Sequence, residues 1–191
     1  EGRMTEFVAR QTGLPRAEAR ALQHRYFLEH GTTLAGLMAG HGVDPEAFLT
    51  EVHDVSLDAL RPDPALRAGL ERLPGRRLVF TNGDAGHAER VLDKLEINDL
   101  FEDTFHIASG DYIPKPDPRC FERMVAAHAV EPLKACFFED SARNLKPAAE
   151  LGMSTVLVGR HATETDADFV HHRTPTLPPF LQSALVQEPA P

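Results

Sequence analysis

Three short stretches of the chain carry side chains whose types and spacing suit chemistry on a small anion. The first, Thr81-Asn82-Gly83-Asp84, offers a hydroxyl, an amide and a glycine-permitted turn directly after the apolar run Leu78-Val79-Phe80. A hydroxyl and free backbone N–H groups at such a turn suit a phosphate or carboxylate; the plainer reading is an N-cap and a turn. The second, Ile113-Pro114-Lys115-Pro116-Asp117-Pro118, holds one lysine between prolines that fix the backbone on both sides. An ammonium restrained in this way can meet an anion, whereas the alternative is a rigid connector with a solvated lysine. The third, "FFEDSARNLKPAAELGM", ends an apolar run with the adjacent acids Glu139 and Asp140 and continues through Ser141 and Asn144. Two neighbouring carboxylates repel one another, so a compensating cation is expected. Oxygen neighbours without His or Cys favour a hard ion such as Mg²⁺. Alternatively one acid caps the next helix, with Ser141 as a second cap candidate, and the other is exposed.

The elements that must position these groups fall into two kinds. Residues 1–60 read as short helices: Phe7 and Val8 before Gly13, then Ala19, Leu22 and Tyr26 before Gly31, then Leu34, Leu37 and Met38, then Phe48, Leu49 and Val52 behind Asp44-Pro45. A small helical bundle is expected there. From 61 to 191 helices alternate with short apolar runs, with strands expected at 78–80, 105–108, 135–138 and 155–158 and helices behind Asp63-Pro64 and over 121–129 and 144–151. Such alternation predicts an α/β, Rossmann-like parallel sheet with helices on both faces. In sheets of this kind ligands sit beyond the carboxyl ends of the strands, where all three stretches fall. The tail, with Pro189 and Pro191, is expected to be loose.

Composition bounds the possibilities. At 191 residues and 42% hydrophobic, the chain can bury one full core, with or without a small appended domain. A formal charge of -9 and the lack of a basic stripe exclude a nucleic-acid polymer as partner. Cys120 and Cys136 make neither a disulfide framework nor a zinc pattern, which suits a reducing, cytoplasmic setting. No apolar stretch approaches the roughly 20 residues of a membrane span, and no leader pattern precedes the first helix. Glu1-Gly2-Arg3 precede the first methionine, Met4, so either these three residues are foreign to the gene product or the chain is a piece of something longer.

Taken in order, the strand-end threonine, the lysine loop and the acid pair resemble the haloacid dehalogenase-like phosphohydrolases. "YFLEHGTTLAGLM", "FTNGDAGHAERVL", "SGDYIPKPDP" and "FFEDSARNLKPAAELGM" together are similar to the bacterial pyrimidine 5'-nucleotidase branch, from Met4 to about Leu181. The resemblance implies a Mg²⁺-dependent phosphatase for a small phosphorylated metabolite, a pyrimidine nucleoside 5'-monophosphate being the candidate. Thr81 would bind phosphoryl oxygens, helped by backbone N–H groups near Asn82 and Gly83. Lys115 would neutralise charge and Asn144 would hold it in place. Asp140, supported by Glu139, would bind Mg²⁺, and Tyr26, Thr32 and Thr33 are the candidates for contacts to base or sugar, with helix capping as the competing role for Thr33.

The family's reaction starts from an aspartate in D-x-D-x-T/V after a central first strand, ahead of the helical cap. The one match here, Asp166-Ala167-Asp168-Phe169-Val170, follows a polar segment and is expected to lead into a late peripheral strand or turn. The nucleophile and the central strand are therefore expected to lie outside this chain, which would leave two facing strand edges unpaired. The rival class is a non-catalytic phosphate- and metal-binding module, in which a homodimer is one way to complete the sheet. Phosphomutase and dehalogenase chemistry are further alternatives, the latter disfavoured because Mg²⁺ ligands suit a phosphate.

Overall fold

The computed structural model describes residues 2–184. Four helices come first: α1 (Gly2–Thr12), α2 (Arg16–His30), α3 (Thr33–His41) and α4 (Pro45–Val52). The residues spaced for one helical face do become a core, since Phe7, Val8, Leu22, Tyr26, Leu37, Phe48 and Leu49 are buried in one cluster. Phe7 and Phe48 meet edge to face at 5.0 Å. Asp44 caps α4 by accepting from the Glu46 N–H at 3.2 Å. Thr32, not Thr33, caps α3: its hydroxyl accepts from the Ala35 N–H at 3.1 Å, while Thr33 is buried and donates to the Gln23 carbonyl at 3.4 Å.

The alternating part follows as α5 (Pro64–Arg72), β1 (Leu78–Phe80), α6 (Ala85–Lys94), β2 (Asp103–Phe105), α7 (Pro118–His128), β3 (Cys136–Glu139), α8 (Ala142–Glu150), β4 (Ser154–Val158), β5 (His172–Thr174) and α9 (Leu177–Ala184). All strand pairs are parallel, and helices alternate with strands as expected for an α/β fold. The strands form two sheets, β1-β2 and β3-β4-β5. Among the described residues no strand lies between β1 and β3. The space is spanned by side chains: Phe80 and Phe121 meet at 5.1 Å and Phe80 and Phe137 at 5.8 Å. Phe80 and Phe137, on the edge strands β1 and β3, are consequently half-buried.

Several boundaries differ from those expected. The strand predicted over 105–108 ends at Phe105 because the next residues bond locally in a 3-10 turn: the Asp111 N–H reaches the Ala108 carbonyl at 3.1 Å and the Tyr112 N–H that of Ile107 at 2.9 Å. Ile107 then leaves the sheet and joins the helical core. α7 begins at Pro118, before the predicted 121, because Asp117 caps it, accepting from the Arg119 N–H at 3.0 Å, and proline fits the first turn. Asp166–Val170 lies in irregular chain and a turn ahead of β5, on the far side of β4 from β3. Pro189 and Pro191 lie outside the described residues. Cys120 and Cys136 are both free. No helix among the described residues is long and apolar enough to cross a membrane.

Candidate active site

The site forms where β1 and β3 end. The Thr81 N–H extends the β1-β2 ladder by one bond, to the Phe105 carbonyl at 2.9 Å. The chain then turns, and the Thr81 hydroxyl oxygen accepts from the Gly83 N–H at 2.9 Å. That N–H is thereby engaged, while the hydroxyl proton of Thr81 is left to point elsewhere. Asp84 caps α6, accepting from the His87 N–H at 2.7 Å.

Asn82 reaches across to the proline-bounded loop and grips Lys115 by its backbone. The Lys115 N–H donates to Asn82 Oδ1 at 2.8 Å, and Asn82 Nδ2 donates to the Lys115 carbonyl at 3.1 Å. A carboxamide supplies both a donor and an acceptor, which is what a single extended residue offers in return. The side chain of Lys115 runs inward and is 6% exposed. Its ammonium donates to the Phe80 carbonyl at 2.8 Å and to Glu139 Oε2 at 2.7 Å, and lies 4.8 Å and 5.2 Å from the ring centroids of Phe80 and Phe137. Lys115 thus ties the end of β1 to the end of β3 across the space between the two sheets.

The acid pair is divided by this contact. Glu139 gives one oxygen to Lys115, and the other accepts from the N–H groups of Asp140 and Ser141 at 3.2 and 3.3 Å. Burial works to raise its pKa, but a hydrogen bond from the Asp140 carboxyl, the charge and hydrogen bond of Lys115 and a hydrogen bond from Asn144 hold it below the usual carboxylate range. Asp140 is pushed the opposite way, upward, by its hydrogen bond to Glu139 and by burial. Negative charge is therefore favoured at Glu139 and disfavoured at its exposed neighbour Asp140.

The contacts correct the roles predicted for Asn144, Ser141 and Tyr26. Asn144 does not hold Lys115; it serves Glu139, with its carbonyl oxygen buried and without a partner, and Asn82 and Glu139 do the holding. Ser141 occupies the N-cap position of α8 without making a side-chain cap bond, and its N–H donates to Glu139. Tyr26, a predicted substrate contact, sits in the helical core with its hydroxyl 3.0 Å from His41 Nε2. Gly31 comes closer to the site. A side chain there would meet Pro114 Cγ at 3.2 Å and the Lys115 carbonyl at 3.5 Å. Arg143, which no sequence pattern singles out, clamps this turn: it donates to the Gly31 carbonyl at 2.5 Å and lies 4.0 Å over the Phe27 ring. His53 likewise carries no signal in the sequence, because its partner Asp84 lies 31 residues away and no local spacing announces it. Its ring borders the Thr81–Gly83 turn.

For a metal, the donor set is sparse. Among the described residues no three His, Cys, Asp or Glu side chains gather into a ready-made cluster. What fits a divalent cation is the exposed carboxylate of Asp140 beside that of Glu139, two acids whose mutual repulsion an added positive charge would relieve. Both Glu139 oxygens are already engaged, so Glu139 can support such an ion but has no free oxygen facing it.

Fold and site define an α/β chain of parallel strands with a helical region before it, its polar groups converging at the carboxyl ends of β1 and β3. A family model described as haloacid dehalogenase-like hydrolase matches residues 5–152, and the chain belongs to that family. Saccharomyces cerevisiae "Phosphate metabolism protein 8" is 29% identical over 170 residues, covering 81% of this chain and 53% of that protein. Mouse "Acyl-CoA dehydrogenase family member 10" is 26% identical over 144 residues, 72% of this chain and 13% of that protein. The chain thus spans about half of the first relative and a small part of the second. Among solved structures, a HAD phosphatase from Thermococcus onnurineus matches with TM-score 0.61 at 19% identity, covering 95% of this chain and 86% of that one. The L-2-haloacid dehalogenase from Xanthobacter autotrophicus with chloropropionic acid covalently bound matches with TM-score 0.59 at 16% identity, covering 95% and 92%. At these identities the structural likeness speaks for the fold.

Proposed function

We propose that this chain carries the phosphate-binding half of a Mg²⁺-dependent phosphomonoesterase acting on a small phosphorylated metabolite, with a pyrimidine nucleoside 5'-monophosphate as the candidate substrate. The observation that carries the reading is the buried Lys115 ammonium, fixed at the strand ends between Asn82 and Glu139. A phosphatase named among the similar folds and a relative named for phosphate metabolism support it.

On this reading the Thr81 hydroxyl donates to a phosphoryl oxygen and Lys115 balances charge on the phosphoryl group, positioned before reaction by Asn82 and Glu139. Asp140, backed by Glu139, is the residue that would hold Mg²⁺, which when bound neutralises phosphoryl charge. The nucleophile would be an aspartate from outside these 191 residues, seated on a strand between β1 and β3; its carboxylate would attack phosphorus as the P–O ester bond breaks and the alcohol leaves, and water would then hydrolyse the phosphoaspartate to release phosphate. The Gly31-Thr32 turn, seated on Pro114, is the part of the helical region that selects substrate; Thr33 and Tyr26 support it from within. A cytoplasmic location belongs to the same proposal.

The test is phosphate release from a nucleoside-monophosphate panel, with and without Mg²⁺, by this chain and by a version extended upstream to include a D-x-D-x-T segment. Mg²⁺-dependent release by the extended form alone is expected. Release from neither form would refute the phosphatase reading. A second reading, a non-catalytic phosphate- and metal-binding module whose sheet is completed by a second copy, is favoured by the split between β1 and β3. Phosphate and Mg²⁺ binding without turnover by either form, in a dimer, would establish it.

A further inference from the structure

We propose that His53 is a substrate-contacting residue, its Nε2 facing an oxyanion seated at the Thr81–Gly83 turn, and that Asp84 positions it. The inference rests on the phosphoester reading of that turn and adds a group that none of the three sequence stretches contains.

His53 follows the last turn of α4, where its N–H donates to the Leu49 carbonyl at 3.0 Å and its own carbonyl accepts from Arg90 Nη2 at 3.0 Å. The backbone of His53 is therefore held from α4 and from α6. The ring is held as well: Nδ1 is hydrogen-bonded to Asp84 Oδ2, and the ring stacks on His87 with centroids 4.5 Å apart and planes 10° from parallel. Asp84 is itself fixed by the His87 N–H, so it offers Nδ1 a carboxylate in one orientation. With Nδ1 committed, Nε2 is the only ring nitrogen free to act, and the direction of the ring decides where it acts.

The edge of the ring that carries Cε1 and Nε2 borders the turn, with Cε1 the nearer atom. A Cβ built on Gly83 would lie 3.2 Å from Thr81 Oγ1, 3.5 Å from His53 Cε1 and 3.8 Å from His53 Nε2. The hydroxyl proposed to bind a phosphoryl oxygen and the free nitrogen of His53 thus border the same small space, which glycine leaves open and any other residue would fill. The side chains of His53 and Asp84 are 21% and 27% exposed, so a solute can reach them. In its imidazolium form the ring donates from both nitrogens, Nδ1–H to Asp84 and Nε2–H to the anion. The charged and titratable groups around it are Asp84, His87 and Arg90 of α6 and its cap, and Asp54 next in the chain, paired with Arg3 of α1 at 2.9 Å. None of these is an acid turned toward the Gly83 space in competition with a ligand.

The experiment is a sulfate titration of the full chain followed by NMR of backbone amides and histidine ring nitrogens; sulfate mimics a phosphate ester, and its charge is constant across the histidine range. Sulfate should shift the amides of Thr81, Asn82 and Gly83 together with the His53 ring. His53→Gln should lower sulfate affinity about tenfold, the worth of one hydrogen bond to a charged group, and Asp84→Asn by a smaller factor. If the turn amides shift and the His53 ring does not, with His53→Gln binding sulfate as well as the parent chain, the proposal fails while the phosphate-site reading stands. His53 is then a tether between α4 and α6, visible only as a lower melting temperature of His53→Gln. Should neither the amides nor the ring respond, both readings fall.

Discussion

Removing the Lys115 ammonium is the sharpest test of how the two sheets are joined. Lys115→Met keeps the aliphatic stem between Phe80 and Phe137 and deletes the charge. The Glu139 carboxylate, 8% exposed, is then left without its cation, and the Phe80 carbonyl loses its donor. Uncompensated buried charge of this kind costs about 3 to 5 kcal/mol, and the small exposure of both side chains, 7% and 8%, leaves little room for screening by solvent. Pairing Lys115→Met with Glu139→Gln removes both charges, and the Gln amide can still accept from the N–H groups of Asp140 and Ser141. The double variant should therefore recover most of the loss and lie within about 1 kcal/mol of the parent chain, as balanced removal of buried pairs does elsewhere. Urea unfolding followed by circular dichroism measures all four corners of the cycle. If Lys115→Met costs under about 1 kcal/mol, or if the double variant loses the sum of the two single losses, the pair does not act as a unit and Lys115 is not the tie between β1 and β3.

Further outcomes follow from the same contacts. Asn82→Ala strips two hydrogen bonds from the Lys115 backbone and should destabilise the chain by about 1 to 3 kcal/mol in the same assay, and in an active extended form it should also depress phosphate release. Gly36→Ala would place a methyl group 2.3 Å from Tyr26 Cγ in the helical core, so a loss of about 1 to 3 kcal/mol and a lower melting temperature are expected. His87 is held below its ordinary pKa by burial and by the neighbouring His53, so just below about pH 6.5 the unfolded chain binds a proton there that the folded chain does not. Stability from this group is complete above that pH and falls as pH drops; His87→Gln should flatten the pH dependence of the urea midpoint between about pH 5 and 7.

The helical stripes of the first four helices were legible because a 3.6-residue period sorts apolar side chains by itself, and the α/β class was legible because apolar runs and helices alternate. Thr81, Lys115, Glu139 and Asp140 were legible as candidates because each stands at the end of an apolar run or between prolines. What each one touches was not. The exchange of roles between Asn82 and Asn144 turns on which carboxamide reaches the Lys115 backbone from 33 residues away, and no local pattern encodes that. Whether Thr32 or Thr33 caps α3 turns on one residue of register, which the burial of Thr33 against α2 decides. The strand expected at 105–108 was overruled by local hydrogen bonds and by the burial of Ile107 in the helical core. Sequence by itself determined the kinds of element and the chemistry available at their ends, since both depend on neighbouring residues. Only the tertiary structure decided that Lys115 spans the ends of β1 and β3, that Glu139 is committed to it, that His53 borders the Thr81–Gly83 turn and that Arg143 holds the Gly31 turn, because those contacts join residues far apart in the chain.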